Sequence, residues 1–242
     1  MKQTKPVDIG TLSGLVQDVG KLAHQKVEGR PLDPGLALLR QWQSDRLARS
    51  HADISALPRY RPVMQFFLED IYAPRDFTQR NHDMERMHDF LRRLAPEPIV
   101  RPLMLTVRLH QTTEHLDDRL LEVLVNQLGM TDSLTTPLYA EAYRRCDNYA
   151  ERVAQIELIR EIGLILDKVV HTPLSGPMLA LAKGTLEHAG WMDVMSFMER
   201  GYKVFKQLPN TARLLDIIRQ RELRILDRIY AGEHDPFEFP EV

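Results

Sequence analysis

The sequence predicts an all-α protein: one compact multi-helix bundle over residues 1–242, with a long antiparallel helix pair as its spine and a non-helical tail at 231–242. Three observations predict it. Capping residues stand before prolines or helical runs at several points. Apolar residues recur at three- and four-residue spacing. Strand signals are scarce, with no sustained alternation and no Asn-Gly or Asp-Gly hairpin pair.

The chain is long enough to bury a full core without disulfide or metal staples. Its 43% hydrophobic and 27% charged residues are those of an ordinary globular protein. A formal net charge of −2 gives no basic surplus, so no nucleic-acid partner is expected. The single cysteine, Cys146, excludes an intramolecular disulfide and reads as a small packed helix residue. The opening MKQTKPVDIG has no apolar core and reads as no secretory signal. No window approaches the roughly 20 apolar residues of a membrane helix, so no membrane partner is expected and the cytoplasm is the expected location.

Helices are predicted at 8–28, 34–51, 60–72, 77–94, 99–128, 137–170, 173–188, 191–207 and 211–230. Asp33-Pro34, Thr136-Pro137 and Thr172-Pro173 each offer a capping side chain before a proline at the first helical position. Asp76 with Gln79 has capping-box spacing, and Asn210 after Pro209 caps the last helix. Helices 99–128 and 137–170 share a short turn and should pack antiparallel. At 1.5 Å per residue, a helix of about 30 residues spans roughly 45 Å. Heme-oxygenase-like and ferritin-like bundles have this shape, a likeness that delivers no function.

Polar residues fall where this spine should be dry. On 99–128, His110 and Asp117 lie seven residues apart on the stripe of Leu109, Thr113, Leu116, Leu120 and Leu124, with Glu114 one turn from His110. On 137–170, Glu157 and Arg160 flank the stripe through Tyr139, Cys146 and Val153 and are spaced to pair with each other. Asp70 shares a face with Val63, Phe66 and Phe67, and Arg160, Arg61 or Tyr72 could balance it. His82 and Glu85 form a further pair at i,i+3. Two readings compete. Asp70, His110, Glu114, Asp117, Glu157 and Arg160 either line an interior site for a divalent metal or acid–base work, or form a satisfied network. The paired Glu-x-x-His motifs of di-iron carboxylate proteins are missing. So are the phosphate-cradling, nucleophile-elbow and zinc-protease motifs, which leaves any cofactor or metal unknown from the sequence.

Arg219, Arg221, Arg224 and Arg228 alternate with Glu222 and Asp227 and read as a solvated helix face. Trp191, Phe197, Tyr202 and Phe205 build no clean stripe; Trp191 reads as a helix-start packing residue and the rest as core. The tail His234-Asp235-Pro236-Phe237-Glu238-Phe239-Pro240-Glu241-Val242 cannot continue a helix. It either straps onto its own body or docks into a partner's groove.

The stretch Phe66-Phe67-Leu68-Glu69-Asp70-Ile71-Tyr72-Ala73-Pro74-Arg75-Asp76-Phe77, with Arg80, Phe197-Met198-Glu199-Arg200-Gly201-Tyr202 and Arg221-Glu222, resembles a family of uncharacterised all-helical proteins from proteobacteria. The resemblance covers most of 60–237 and implies a helical fold without bringing a chemistry. Two functions remain open. One is a bacterial binding protein for a small molecule, a protein or a second copy of itself; the other is a metal- or oxygen-dependent enzyme with an interior His/carboxylate site.

Overall fold

Eleven α-helices and no strand occur among the described residues, which are 9–22, 24–28, 33–71, 77–94, 97–173 and 175–238 of a computed structural model. The helices are α1 (Ile9–Lys21), α2 (Pro34–Ser50), α3 (Ala52–Ala56), α4 (Arg61–Phe66), α5 (Thr78–Leu94), α6 (Glu97–Glu122), α7 (Thr136–Cys146), α8 (Tyr149–Val170), α9 (Ser175–His188), α10 (Met192–Gln207) and α11 (Thr211–Tyr230). Single π-helical turns at Phe67–Ile71 and Val123–Gln127 extend α4 and α6. No described helix is long and apolar enough to cross a membrane.

The chain divides into two compact units. The first comprises 1–30, 77–108 and 165–206, and the second 31–76, 109–164 and 207–242. The first has its own core, in which Leu15 and Val19 of α1 meet Met84, Met87 and Leu91 of α5, Leu186 of α9, and Trp191, Val194 and Met195 at the start of α10. α1 approaches α9 closely at Gly20, where a Cβ would lie 2.5 Å from the Thr185 methyl. The core of the second unit joins Leu39 of α2, Leu120 and Leu124, Tyr139, Ala142 and Cys146 of α7, and Ile225, Leu226 and Ile229 of α11.

Within the second unit the spine expected from the sequence pairs antiparallel. Gln155 donates to Thr113 Oγ1 at 2.8 Å, Arg152 to the Leu116 carbonyl at 3.0 Å, and Cys146 to the Arg119 carbonyl at 3.7 Å. Its second helix is nonetheless not continuous over 137–170. Asp147 turns left-handed (φ 49°) and separates α7 from α8. The tertiary structure pins this break: the Tyr230 hydroxyl donates to the Tyr143 carbonyl and accepts from the Asn148 amide, both at 3.2 Å. Both groups would otherwise have been spent inside one long helix.

Other boundaries moved for similar reasons. α1 ends at Lys21 rather than 28, because Gln79 takes the next segment by its backbone: its side chain accepts from Val27 N at 2.8 Å and donates to Gln25 O at 3.1 Å. Asp33 caps α2 as expected, accepting from Gly35 N at 2.9 Å and Leu36 N at 3.1 Å. The cap of α7 is Thr135, not Thr136. Thr172 donates to Val169 O, closing α8 instead of opening α9. Asn210 precedes α11 in a left-handed conformation without a side-chain cap bond. Asp76 lies outside the described residues.

α8 crosses α11 at Gly163, where a Cβ would stand 2.6 Å from Leu215 Cδ1 and 2.9 Å from Cδ2. Leu215 is buried and has little freedom to move aside. Gly163→Val should therefore lower stability by about 1–3 kcal/mol through overpacking, read from the shift in denaturant midpoint. An unchanged midpoint would refute the close crossing.

Candidate functional site

The six residues singled out from the sequence do not share one set of partners. His110 Nε2 lies 3.2 Å from Glu114 Oε2, with the Glu114 side chain half exposed. Glu157 and Arg160 do not pair with each other. Arg219 donates to Glu157, its Nε at 2.7 Å, and holds that carboxyl below its ordinary range; Arg160 donates to Asp216 at 2.6 Å. Asp70 is buried in the first π turn beside buried Val63 and Phe66. Of its expected partners, Arg160 donates to Asp216, and Tyr72 lies outside the described residues. Asp117 is buried on the α6 stripe, accepting from Gln43 at 3.1 Å with Arg40 at 3.5 Å. Burial pushes its pKa up, and the Gln43 hydrogen bond and the charges of Arg152 and Arg40 offset only part of that. Among the described residues no group of three His, Cys, Asp or Glu side chains is arranged to hold a metal ion.

A further charge cluster of the second unit gathers around Glu222, which the sequence had placed on a solvated face. Arg46 Nη1 of α2 donates to both oxygens of Glu222 of α11 at 2.7 Å, and His51 Nε2 stands 2.8 Å from Glu222 Oε1. The His51 ring is 1% exposed. Burial raises the Glu222 pKa, but the Arg46 charge and the His51 hydrogen bond prevail and bring it to about 2. Burial likewise disfavours the Arg46 cation, and Glu222 reverses this so that its pKa is raised. A signal was present. Leu215, Ile218, Glu222, Ile225 and Ile229 follow one another at helical spacing, placing Glu222 on the buried stripe of α11.

Three of the α11 arginines expected on a solvated face, Arg219, Arg221 and Arg228, are half-buried and engaged, while Arg224 is exposed. Arg221 donates to Asp53 at 2.6 and 2.8 Å and to the Ser50 carbonyl at 2.6 Å, while Arg219 holds Glu157. Arg228 grips the tail: its Nε donates to Glu233 at 2.5 Å, its Nη2 to the Asp235 carbonyl at 2.7 Å, and its Nη1 to the Glu238 carbonyl.

That tail returns onto an aromatic platform. Trp42 of α2 stacks on Tyr139 of α7 at 4.0 Å between centroids, and Tyr139 tilts onto Tyr143 at 4.8 Å. Phe237 stands edge-on to Trp42 at 5.5 Å and to Tyr139 at 6.0 Å, with the Arg46 guanidinium 5.7 Å from its ring centroid. The chain reverses at Gly232 (φ +77°), where Gly232 N bonds Ile229 O and Glu233 N bonds Arg228 O, the paired bonds of a Schellman turn. Phe239 to Val242 lie outside the described residues.

The first unit holds a different cluster. Asp83 is fully buried and takes a hydrogen bond from Gln79 at 2.9 Å, with His24 Nε2 at 3.2 Å and His82 Nδ1 at 3.7 Å. His24 lies edge-on to fully buried Trp191 and against Gly190, whose φ of +90° suits glycine. Trp191 is thus a packing residue, as the sequence implied. Phe205 is buried too, while Phe197 receives the Arg80 guanidinium at 4.7 Å.

Comparison with known proteins bears on the whole of this arrangement. The family model described as Domain of unknown function (DUF8198) matches residues 22–236. The chain belongs to this family. The matched span includes both ion clusters and the platform residues Trp42 and Tyr139, and it stops one residue short of Phe237. No curated protein and no solved structure gives a significant match. The function of the family is unknown, so the site is read from its geometry.

Two carboxylates on opposite sides of their ordinary pKa, half-buried Glu222 and buried Asp117, predict opposite behaviour. Glu222→Gln leaves the Arg46 cation buried without its anion and should cost about 3–5 kcal/mol. Asp117→Asn should cost less than about 1.5 kcal/mol, because burial already favours the neutral form; both values are read from denaturant unfolding. Because the folded-state pKa of Glu222 is depressed to about 2, its contribution is complete above the ordinary value of 4.5 and is lost as pH falls from there toward 2. Wild-type stability should accordingly drop across that window, and Glu222→Gln should flatten the drop. Equal acid sensitivity in both chains would contradict this assignment.

Proposed function

We propose that this chain works by non-covalent binding of a protein partner, within the bacterial cytoplasm, rather than by catalysis. One observation carries the reading: the Trp42–Tyr139 platform of the second unit already holds a short peptide segment, residues 233–238, in the manner of a peptide-recognition surface. The segment is anchored by one aromatic side chain and by main-chain carbonyls bound to Arg228. Rigid aromatic anchors beside arginine are the residue types that dominate binding energy at protein interfaces. The interior carboxylates support the same reading. Glu222 is held by Arg46 and His51, Asp117 by Gln43 and Arg40, and Asp83 by Gln79 and His24, so each is engaged in structural contacts.

The test frees the platform without shortening the chain. Phe237→Ala should leave the tail undocked, and a synthetic peptide of residues 231–242 should then bind the variant saturably at one-to-one stoichiometry, as measured by calorimetry. Adding Trp42→Ala should weaken that binding at least about tenfold, as expected of an interface hot spot. A folded Phe237→Ala chain that binds no peptide sinks the proposal.

A further inference from the structure

Resting on that binding reading, we infer that the platform recognises an acidic, phenylalanine-bearing turn on the partner protein, and that the chain's own tail is the competing occupant that shuts it. The chemistry of the partner is read from what sits there now. Phe237 supplies an aromatic edge to Trp42 and Tyr139 and a ring face to the Arg46 guanidinium. Among the described residues, the polar hold on the tail comes from Arg228. The Arg228 guanidinium spans the carbonyls of Asp235 and Glu238 and reaches the carboxylate of Glu233. Carbonyls are common to every peptide, so the selective elements are one ring and one acid placed before the turn.

The tail is bound as a ligand is bound rather than as a core element. Glu233, His234, Asp235 and Glu238 are exposed; only Pro236 is buried, and Phe237 partly so. The Schellman turn at Gly232 and the Arg228 side chain join the tail to α11, whereas the platform itself is built by α2 and α7. Trp42 and Tyr139 stack directly on each other, so Phe237 sits against an existing ring pair rather than bridging two separate rings. A segment tethered this closely acts at an effective concentration of about millimolar. A partner must outcompete it, and its apparent affinity falls by the fraction of chains whose platform is open. Arg46 links the two conditions. The cation that meets Phe237 is the one that neutralises Glu222, and its Nε has no hydrogen-bond partner among the described residues.

Fluorescein-labelled peptide 231–242 titrated into full-length wild type, Phe237→Ala, and Phe237→Ala with Trp42→Ala tests both parts. Circular-dichroism melts confirm folding, and Phe237→Leu replaces Phe237→Ala if the latter melts without cooperativity. Cis competition predicts at least about tenfold tighter binding to Phe237→Ala than to wild type, lost when Trp42 is removed. Equal, Trp42-dependent affinity for wild type and variant overturns the competition and leaves the binding reading standing. No binding by any folded chain overturns both, and binding that ignores Trp42 removes the platform from the account. A second peptide carrying Glu233→Gln and Asp235→Asn should bind more weakly at low salt, with the difference shrinking as salt rises. Identical affinity for the two peptides overturns the acidic requirement.

Discussion

A carboxylate held inside the second unit imposes the strongest constraint on its structure. Glu222 stays ionised there only because Arg46 meets both of its oxygens and His51 meets one. An unpaired ion at that depth would cost several kcal/mol. The arginine and the glutamate lie 176 residues apart, so their pairing sets where α2 stands against α11. Apolar packing alone would tolerate sliding by a turn, whereas a two-oxygen ion pair does not. The same guanidinium then meets Phe237, which ties the position of the tail to the neutrality of the core.

The two units neutralise buried acid differently. In the second, guanidinium groups do it: Arg46 for Glu222 and Arg40 for Asp117. In the first, Asp83 is met by Gln79 and the imidazoles of His24 and His82. Arginine is charged at every accessible pH, so its pairings hold through physiological conditions. In the second unit these pairs connect helices distant in sequence, while in the first Asp83, Gln79 and His82 lie on α5 and only His24 comes from another segment. Apart from these charges stands the aromatic pair of Trp42 from α2 and Tyr139 from α7, against which Phe237 packs edge-on.

Much of the fold was legible because its signals are local. Asp33 before Pro34 has its capping geometry whatever surrounds it, and α2 begins there. The stripe through Leu116, Asp117, Leu120 and Leu124 is buried as its spacing implied. The candidate site was legible only in part. Asp117 and Asp70 were recognised as buried acids, but Glu157 and Arg160 lie on a helix that offered them distant partners, Arg219 and Asp216, in preference to each other. Glu222 was hidden among arginines that looked solvated, although its place on the apolar stripe of α11 was there to read.

The sequence by itself determined that the chain is helical, where most helices start, and which faces turn inward, because capping and periodicity act over a few residues. Tertiary structure alone decided the break at Asp147, the early end of α1 at Lys21, and the partners of every buried charge. Each of these depends on a group brought in from far along the chain: Tyr230 at the break, Gln79 beyond α1, and Arg46 at Glu222. Hydrogen bonds and ion pairs act over a few ångströms of space, and no pattern within one helix records which distant residue will occupy that space.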